Sequence, residues 1–277
     1  MERGETGKPR RTQRRRRLVL LLVAALLLVV IVAVAVGVSL RQQPHQEEFK
    51  DTFINRCKEF KGDNCSGIWE AFQQAYVNRD PCDVPVEAYD PLIAAAPFKP
   101  ECNRMMFWSK TKDVVHDFTE KKDCFVTLED TLLGEVLDGL TWCGKKDSSE
   151  TFTSGCPGWS DCVDNPVRSF WNRVSAAYAD VACGDVTAML SGSIETPFSP
   201  GSIFRTVELK RFDSSRVNTL TVVLVTQEEK VANCTNDSLK DLQMELQKGI
   251  RYNCKEVPES QISACSSDPT ASCGSCW

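Results

Sequence analysis

Four carboxylates fall inside one run, Thr127 to Gly144 (TLEDTLLGEVLDGLTWCG): Glu129, Asp130, Glu135 and Asp138. Thr127 followed by Asp130 matches a loose capping box. Leu128, Leu132 and Leu133 recur at helical spacing, and Glu129 points away from their stripe. A carboxylate set apart in this way can act as an acid, a base or an electrostatic partner. The same spacing also suits an ordinary amphipathic helix with solvated acids. Glu208 is a further acid, in an alternating run with Phe204 and Thr206 on its face, and by itself it reads equally well as a solvated edge residue. The chain has only two histidines, His45 and His116, which disfavours a Ser-His-Asp site and a zinc centre. His116 itself reads as a helix-surface or satisfied core residue. The SGS at Ser191 to Ser193 is too short for a phosphate loop, and no P-loop or dinucleotide fingerprint occurs. Whatever chemistry the chain performs rests on carboxylates.

The elements that must position these acids change character along the chain. The first half reads as helical: Ile68, Phe72, Ala75 and Tyr76 after a Ser66 cap, then Asn103 to Glu120, then the Thr127 run. Residues 144–165 carry the Gly and Pro punctuation of a connector, stapled by Cys143, Cys156 and Cys162. Pro166 then fits the first turn of a helix with Val167, Phe170, Trp171, Val174 and Tyr178 on one side. Val186 to Leu190, Ile203 to Leu209 and Leu220 to Thr226 are short β-branched or alternating runs, followed by a helix near Asp237 to Lys248. Strands alternating with helices predict a small, mainly parallel sheet flanked by helices. The expected fold is a mixed α/β, disulfide-rich one. A helical lobe over about 51–143 and an α/β lobe over about 166–277 would flank a cleft, a preferred place for a ligand pocket.

Leu18 to Leu40 is an uncharged apolar run of 23 residues, against the about 20 that span a hydrocarbon core. The basic tail before it, residues 1–17, predicts a cytoplasmic N-terminus. A cleaved signal peptide would have a shorter apolar core, roughly 7–15 residues. The run therefore reads as a type II single-pass anchor in the cell membrane, followed by a polar stalk at 41–50 and an extracellular domain at 51–277. Beyond residue 17 the chain holds 25 Lys+Arg against 36 Asp+Glu, a net charge near −11 that argues against a nucleic-acid partner. All 14 cysteines lie past the apolar run, where disulfides persist. Asn64, Asn233 and Asn236 each open a glycosylation sequon, two of them with Cys in the middle position. The tail CGSCW lacks the apolar segment a GPI signal needs.

The Thr127 run closely resembles the core block of the ADP-ribosyl cyclases, the NAD glycohydrolases that make cyclic ADP-ribose. The resemblance covers roughly Cys57 to Cys273. It extends to FWSK (Phe107 to Lys110), SFWNRVS (Ser169 to Ser175) and FRTVE (Phe204 to Glu208). It implies pairings Cys57–Cys65, Cys82–Cys162, Cys102–Cys183, Cys143–Cys156, Cys234–Cys254 and Cys265–Cys273. Cys124 and Cys276 are left over, either bonded to each other or with Cys276 pairing between molecules. It also implies that Glu208 is the catalytic carboxylate, Trp108 and Trp171 two aromatic walls, and Glu129 a second acid at the nicotinamide end that biases the product. Asp138 would lie on the same rim. Ser109, Lys110 and Ser175 would hold ribose and phosphates, with Phe204 also in the binding segment. Without the resemblance, both tryptophans read as core residues.

The implied substrates are NAD, NADP and cyclic ADP-ribose, with NAD as substrate, no cofactor and no metal. The family leaves room for a homodimer and a surface protein ligand. The bond in NAD joins ribose to a pyridinium that leaves as neutral nicotinamide, so no general acid is needed, unlike ordinary glycoside hydrolysis. One carboxylate can stabilise the developing oxocarbenium charge in a closed cleft. Adenine of the same molecule then gives cyclic ADP-ribose, water gives ADP-ribose, and another base gives exchange. Three positions depart from the family pattern: Lys110 stands where Arg is common, Ile203 where Thr is common, and Arg205 replaces a small residue. These departures make phosphate handling the expected point of difference. They also keep open a catalytically weak surface receptor or adhesion protein of the same fold.

Overall fold

The computed structural model describes residues 47–99, 101–227 and 231–277, together with 21, 23 and 25–30. The basic tail, most of the apolar run and most of the stalk lie outside the described residues. Among the described residues no helix is long and apolar enough to cross a membrane. Lys50 to Trp277 form one compact unit.

The helical part opens with α1 (residues 47–59) and α2 (Cys65–Gln74). Asn64, rather than Ser66, caps α2, because its side chain reaches the Gly67 amide. Phe53, Trp69, Phe72, Tyr76, Tyr89, Trp142 and Phe170 pack as one aromatic cluster, with neighbouring rings in edge or stacked contact. The polar ends of the cluster are satisfied internally: Trp142 Nε1 donates to Tyr89 Oη at 3.0 Å, and Tyr89 donates to the Pro166 carbonyl at 2.9 Å. α3 (Asp90–Ala95) completes this layer.

The sheet holds four parallel strands in the order β1 (Met106–Ser109), β2 (Gly184–Ser191), β3 (Val217–Thr226), β4 (Arg251–Pro258). Both faces are covered, which is why β1 to β3 read as near-continuous apolar runs. On one face Met106, Met189, Val223 and Val257 pack against Val115 and Phe118 of α4 (Lys112–Lys121) and Ile262 of α8 (Glu259–Ser267). Burying each such side chain contributes roughly 1.5–3 kcal/mol. On the other face Phe107 meets Tyr178 of α6 (Pro166–Asp180) at 5.3 Å and Phe212 at 4.9 Å. α6 starts as its sequence predicts, with Pro166 in the first turn and Asn165 capping Arg168. α7 (Asp237–Glu245) joins β3 to β4.

Several expected elements differ. Asn103 to Glu120 is not one helix: MFWS pairs with β2 as an edge strand before α4 begins. A short apolar run has no period that separates strand from helix, and here the free edge of β2 decides. The Thr127 run starts with a turn. Asp130 Oδ2 accepts from both the amide and the hydroxyl of Thr127 at 2.8 Å, and the helix, α5 (Leu132–Leu137), starts after Thr131. Ile203 to Leu209 is not a strand. Phe204–Glu208 is a π-helical turn closed by the Leu209 amide on the Phe204 carbonyl, continuing into a 3₁₀ turn at Leu209–Arg211.

All 14 cysteines pair, and five bridges match the implied pattern. The other two are Cys124–Cys273 and Cys265–Cys276, not Cys265–Cys273 with Cys124–Cys276. The chain after α8 is strapped by Lys122, whose ammonium donates to the carbonyls of Asp268 and Ala271. Trp277 packs on Phe118 and Phe125, at 5.0 and 5.4 Å. This return path brings Cys273 beside Cys124 and carries Cys276 back to α8.

Candidate active site

A cavity of about 520 Å³ opens where β1 ends, consistent with ligand sites lying beyond the carboxyl ends of parallel strands. β1 supplies Trp108 and Ser109, and Lys110 follows in a left-handed conformation (φ 61°) that ends the strand. α4 contributes Lys112, the Thr127 turn contributes Leu128 and Glu129, and α6 contributes Trp171, Ser175 and Tyr178. Asp138 enters from the C-terminal end of α5, where the Arg56 guanidinium donates to its carbonyl at 2.8 Å. Ser199, Gly201, Ser202 and Ile203 complete one wall, and Glu208 comes in on the π-helical turn.

Glu208 is 7% exposed. Burial pushes its carboxyl up to about 8, the hydrogen bond from Ser175 works against that rise, and the nearby Glu129 charge adds to it. At neutral pH this group therefore holds its proton. The Thr127 turn aims Glu129 inward, and Trp108 Nε1 donates to Glu129 Oε2 at 3.0 Å. Asp138 Oδ1 pairs with Lys112 Nζ at 3.1 Å, leaving the rim with both signs of charge. Trp171 leans edge-on against Phe170 at 5.1 Å, which seats its indole on the aromatic cluster below.

The structure thus gathers Glu208, Glu129, Trp108, Trp171, Ser109, Lys110, Asp138 and Ser175 around one cavity. Phe204 is the exception and a correction to the expected binding set. It is 1% exposed and packs against Phe107 and Phe198, because the π-turn directs it into the sheet face rather than the cavity. Arg205 is also directed elsewhere, to Glu245 of α7. His116 is not a satisfied core residue. Its ring meets the Trp108 indole edge-on at 5.6 Å, and its buried Nε2 has no partner.

Lys112, Tyr178 and Trp159 also line the cavity, beyond the expected set. Nothing in its local pattern marks Lys112, a solvated-looking residue in the first turn of α4. Tyr178 falls on the apolar side of α6 by spacing, but its hydroxyl donates to the Val126 carbonyl at the back of the Thr127 turn. Trp159 was legible as an isolated indole in a Gly- and Pro-rich connector. It is 44% exposed, and its loop is fixed because Asn165 Nδ2 donates to the carbonyls of Gly158, Trp159 and Cys162.

Comparison with known proteins identifies the family of this chain. The family model for ADP-ribosyl cyclase matches residues 46–274. The ADP-ribosyl cyclase/cyclic ADP-ribose hydrolase 1 of Mus musculus is 36% identical over 217 residues, covering 74% of this chain and 71% of that protein. The ADP-ribosyl cyclase/cyclic ADP-ribose hydrolase of Aplysia kurodai is 32% identical over 241 residues, covering 81% of this chain and 85% of that protein. Among solved structures, porcine CD38 complexed with a covalent intermediate, ribo-F-ribose-5'-phosphate, superimposes with a TM-score of 0.71 at 35% identity, covering 76% of this chain and 96% of that chain. By the extent of the family match and by these identities, the chain belongs to the ADP-ribosyl cyclase family.

Proposed function

We infer that this chain is an NAD glycohydrolase and ADP-ribosyl cyclase. It cleaves the nicotinamide–ribose bond of NAD to give ADP-ribose and cyclic ADP-ribose, hydrolyses the cyclic product and exchanges the base of NADP. The observation that carries the assignment of roles is Glu208, a buried carboxyl at the cavity wall with two indoles and a second acid around it.

The pyridinium of NAD carries a positive charge into a cavity whose carboxyl is held neutral chiefly by burial, with the Glu129 charge adding to it. An adjacent cation favours the ionised form, so binding drives the proton off Glu208. The resulting carboxylate faces the anomeric carbon as charge develops there. Removed from water, it stabilises that charge far more than an exposed acid would. Nicotinamide leaves neutral, so the second acid need not protonate it, and Glu129 is held in place by the hydrogen bond that its Oε2 accepts from Trp108. Trp108 and Trp171 provide flat walls that hold the ring and exclude water. Ser109, Lys110 and Ser175 hold the ribose and phosphates, with Lys110 acting as a point charge rather than a bidentate fork. Ile203 presents an aliphatic wall at the same rim, so fewer hydroxyls reach the diphosphate. Glu129 sets how the ribosyl intermediate partitions between adenine and water. The reaction needs neither cofactor nor metal.

We further place the domain outside the cell on a type II membrane anchor at Leu18 to Leu40, with glycans at Asn64, Asn233 and Asn236. The seven disulfides and exposed Asn64 and Asn233 support this reading.

The test is to incubate the full-length protein in detergent with NAD and separate the products. Nicotinamide with ADP-ribose and some cyclic ADP-ribose is expected, and Glu208→Gln should abolish nicotinamide release while leaving the protein folded. A wild-type protein that releases no nicotinamide, or a Glu208→Gln variant that keeps wild-type turnover, would overturn the assignment.

A further inference from the structure

We propose that Arg205 is a positioning residue for Glu208, acting by clamping the π-helical turn that carries it against α7. The inference rests on Glu208 being the catalytic carboxylate. Arg205 sits three residues before it on the same turn, and its side chain runs away from the cavity. Its guanidinium donates to Glu245 Oε1 from Nη2 at 2.6 Å and from Nε at 3.1 Å, and to the Phe198 carbonyl from Nη1 at 3.2 Å. Asp241 Oδ2 lies 3.7 Å from Nη2, and the guanidinium stacks on the Phe198 ring at 4.5 Å. The side chain is 21% exposed, so these contacts are only partly screened by water.

A π-helical turn is rare and appears most often as a single bulge at functional sites. Here its last residue is closed by the Leu209 amide on the Phe204 carbonyl, and its start is tied to Ser202, whose carbonyl accepts from the Thr206 amide at 3.0 Å and whose hydroxyl accepts from the Arg205 amide at 3.1 Å. These bonds shape the turn itself, and the side chains of Phe204 and Arg205 fix how it sits against Phe198 and α7. Phe198 ties Phe204 from below, at 6.0 Å between rings, and Arg205 grips the carbonyl and ring of that same Phe198. Two successive residues of the turn are thus pinned to one anchor and to α7. Glu208, one turn later, is then held toward Ser175, with Glu129 and Tyr178 as the other ionisable groups facing it. The Arg205 charge is matched by Glu245 and Asp241, so it does not serve the phosphates of a substrate in the cavity.

The experiment compares full-length Arg205→Ala, Arg205→Lys and Arg211→Ala in NAD cleavage. Arg211 follows the turn and pairs with Asp180 at 3.0 Å, so its removal breaks a neighbouring ion pair without touching the clamp. Arg205→Ala should lower kcat on the order of 10- to 100-fold, the scale of a small misplacement at a reacting centre. KM should stay within about threefold, because no substrate contact is lost. The pH midpoint of kcat/KM should fall below about 8 as the loosened Glu208 carboxyl gains water. Arg205→Lys should recover part of kcat, since an ammonium keeps the charge but not the fork. Arg211→Ala should leave both kcat and midpoint unchanged.

Should Arg205→Ala lose thermal stability yet keep the wild-type kcat and midpoint, the clamp is structural only and the proposal fails. Equal losses in Arg205→Ala and Arg211→Ala would also defeat it. If the wild-type protein releases no nicotinamide, the enzymatic reading fails instead. The clamp is then read from melting: the difference in melting temperature between Glu208→Gln and its parent at pH 8.5 should shrink in the Arg205→Ala background, and an unchanged difference would overturn it.

Discussion

Replacing Glu208 by Gln should make the protein more stable at alkaline pH while removing its activity, and the size of that gain follows from the burial of the carboxyl. Its acidity is pushed from an ordinary 4.5 up to about 8 in the folded state. Between those values the folded protein holds a proton that the unfolded chain has lost, so stability falls as pH rises through the window and levels off above about 8. The span of about 3.5 units at 1.36 kcal/mol each gives an upper figure of roughly 5 kcal/mol at pH 9. Gln is neutral at every pH and retains an acceptor for the Ser175 hydroxyl, so the variant escapes this loss. For a unit of this size each kcal/mol moves the melting temperature by about 2–4 °C. Melting curves of both proteins in detergent from pH 5 to 9 should therefore coincide near pH 5 and separate by on the order of 10 °C at pH 9. Curves that stay parallel across the range would refute the buried, proton-holding carboxyl. The same group sets the activity profile: kcat/KM should rise with pH to a plateau above about 8, and kcat, measured with the cationic ring bound, should have a lower midpoint.

Trp108→Phe keeps an aromatic wall but removes the donor to Glu129, a hydrogen bond to a charged group worth about 1.5–3 kcal/mol. The ratio of cyclic to linear product should shift by roughly 3- to 10-fold while NAD cleavage persists, and a product chromatogram unchanged from wild type would show that the bond does not steer partitioning. Proteolytic mapping under non-reducing conditions should recover peptides joined through Cys124–Cys273 and Cys265–Cys276. Recovery of a Cys265–Cys273 peptide would contradict this return path of the C-terminal segment.

Residue order by itself carried much of this protein. The apolar runs at Val186 to Leu190 and Leu220 to Thr226, the Pro166 start of α6 and the α7 helix were all readable, because each is specified by local period or local capping. The four segments that converge on the cavity were also legible, though through family resemblance rather than local physics. Taken alone, the indoles and acids looked like core or solvated residues. Three features were not local. MFWS became a strand because β2 offered an unpaired edge, a condition set 80 residues away. FRTVE became a π-turn, since its alternation of apolar residues mimics a strand while the Phe107–Phe198–Phe204 packing and the Arg205 clamp hold it helical. The last two disulfides depended on where the chain returns after α8.

The sequence therefore determined the inventory: parallel strands, helices, paired cysteines and the acids that line the cavity. Tertiary structure decided how the two acids of the cavity differ in their surroundings. Glu129 and Glu208 are the same residue type in similarly apolar surroundings by sequence. Folding buries Glu208 beside Ser175 and gives Glu129 the Trp108 hydrogen bond. That difference in solvation, which no local pattern encodes, separates the proton-holding carboxyl from its partner.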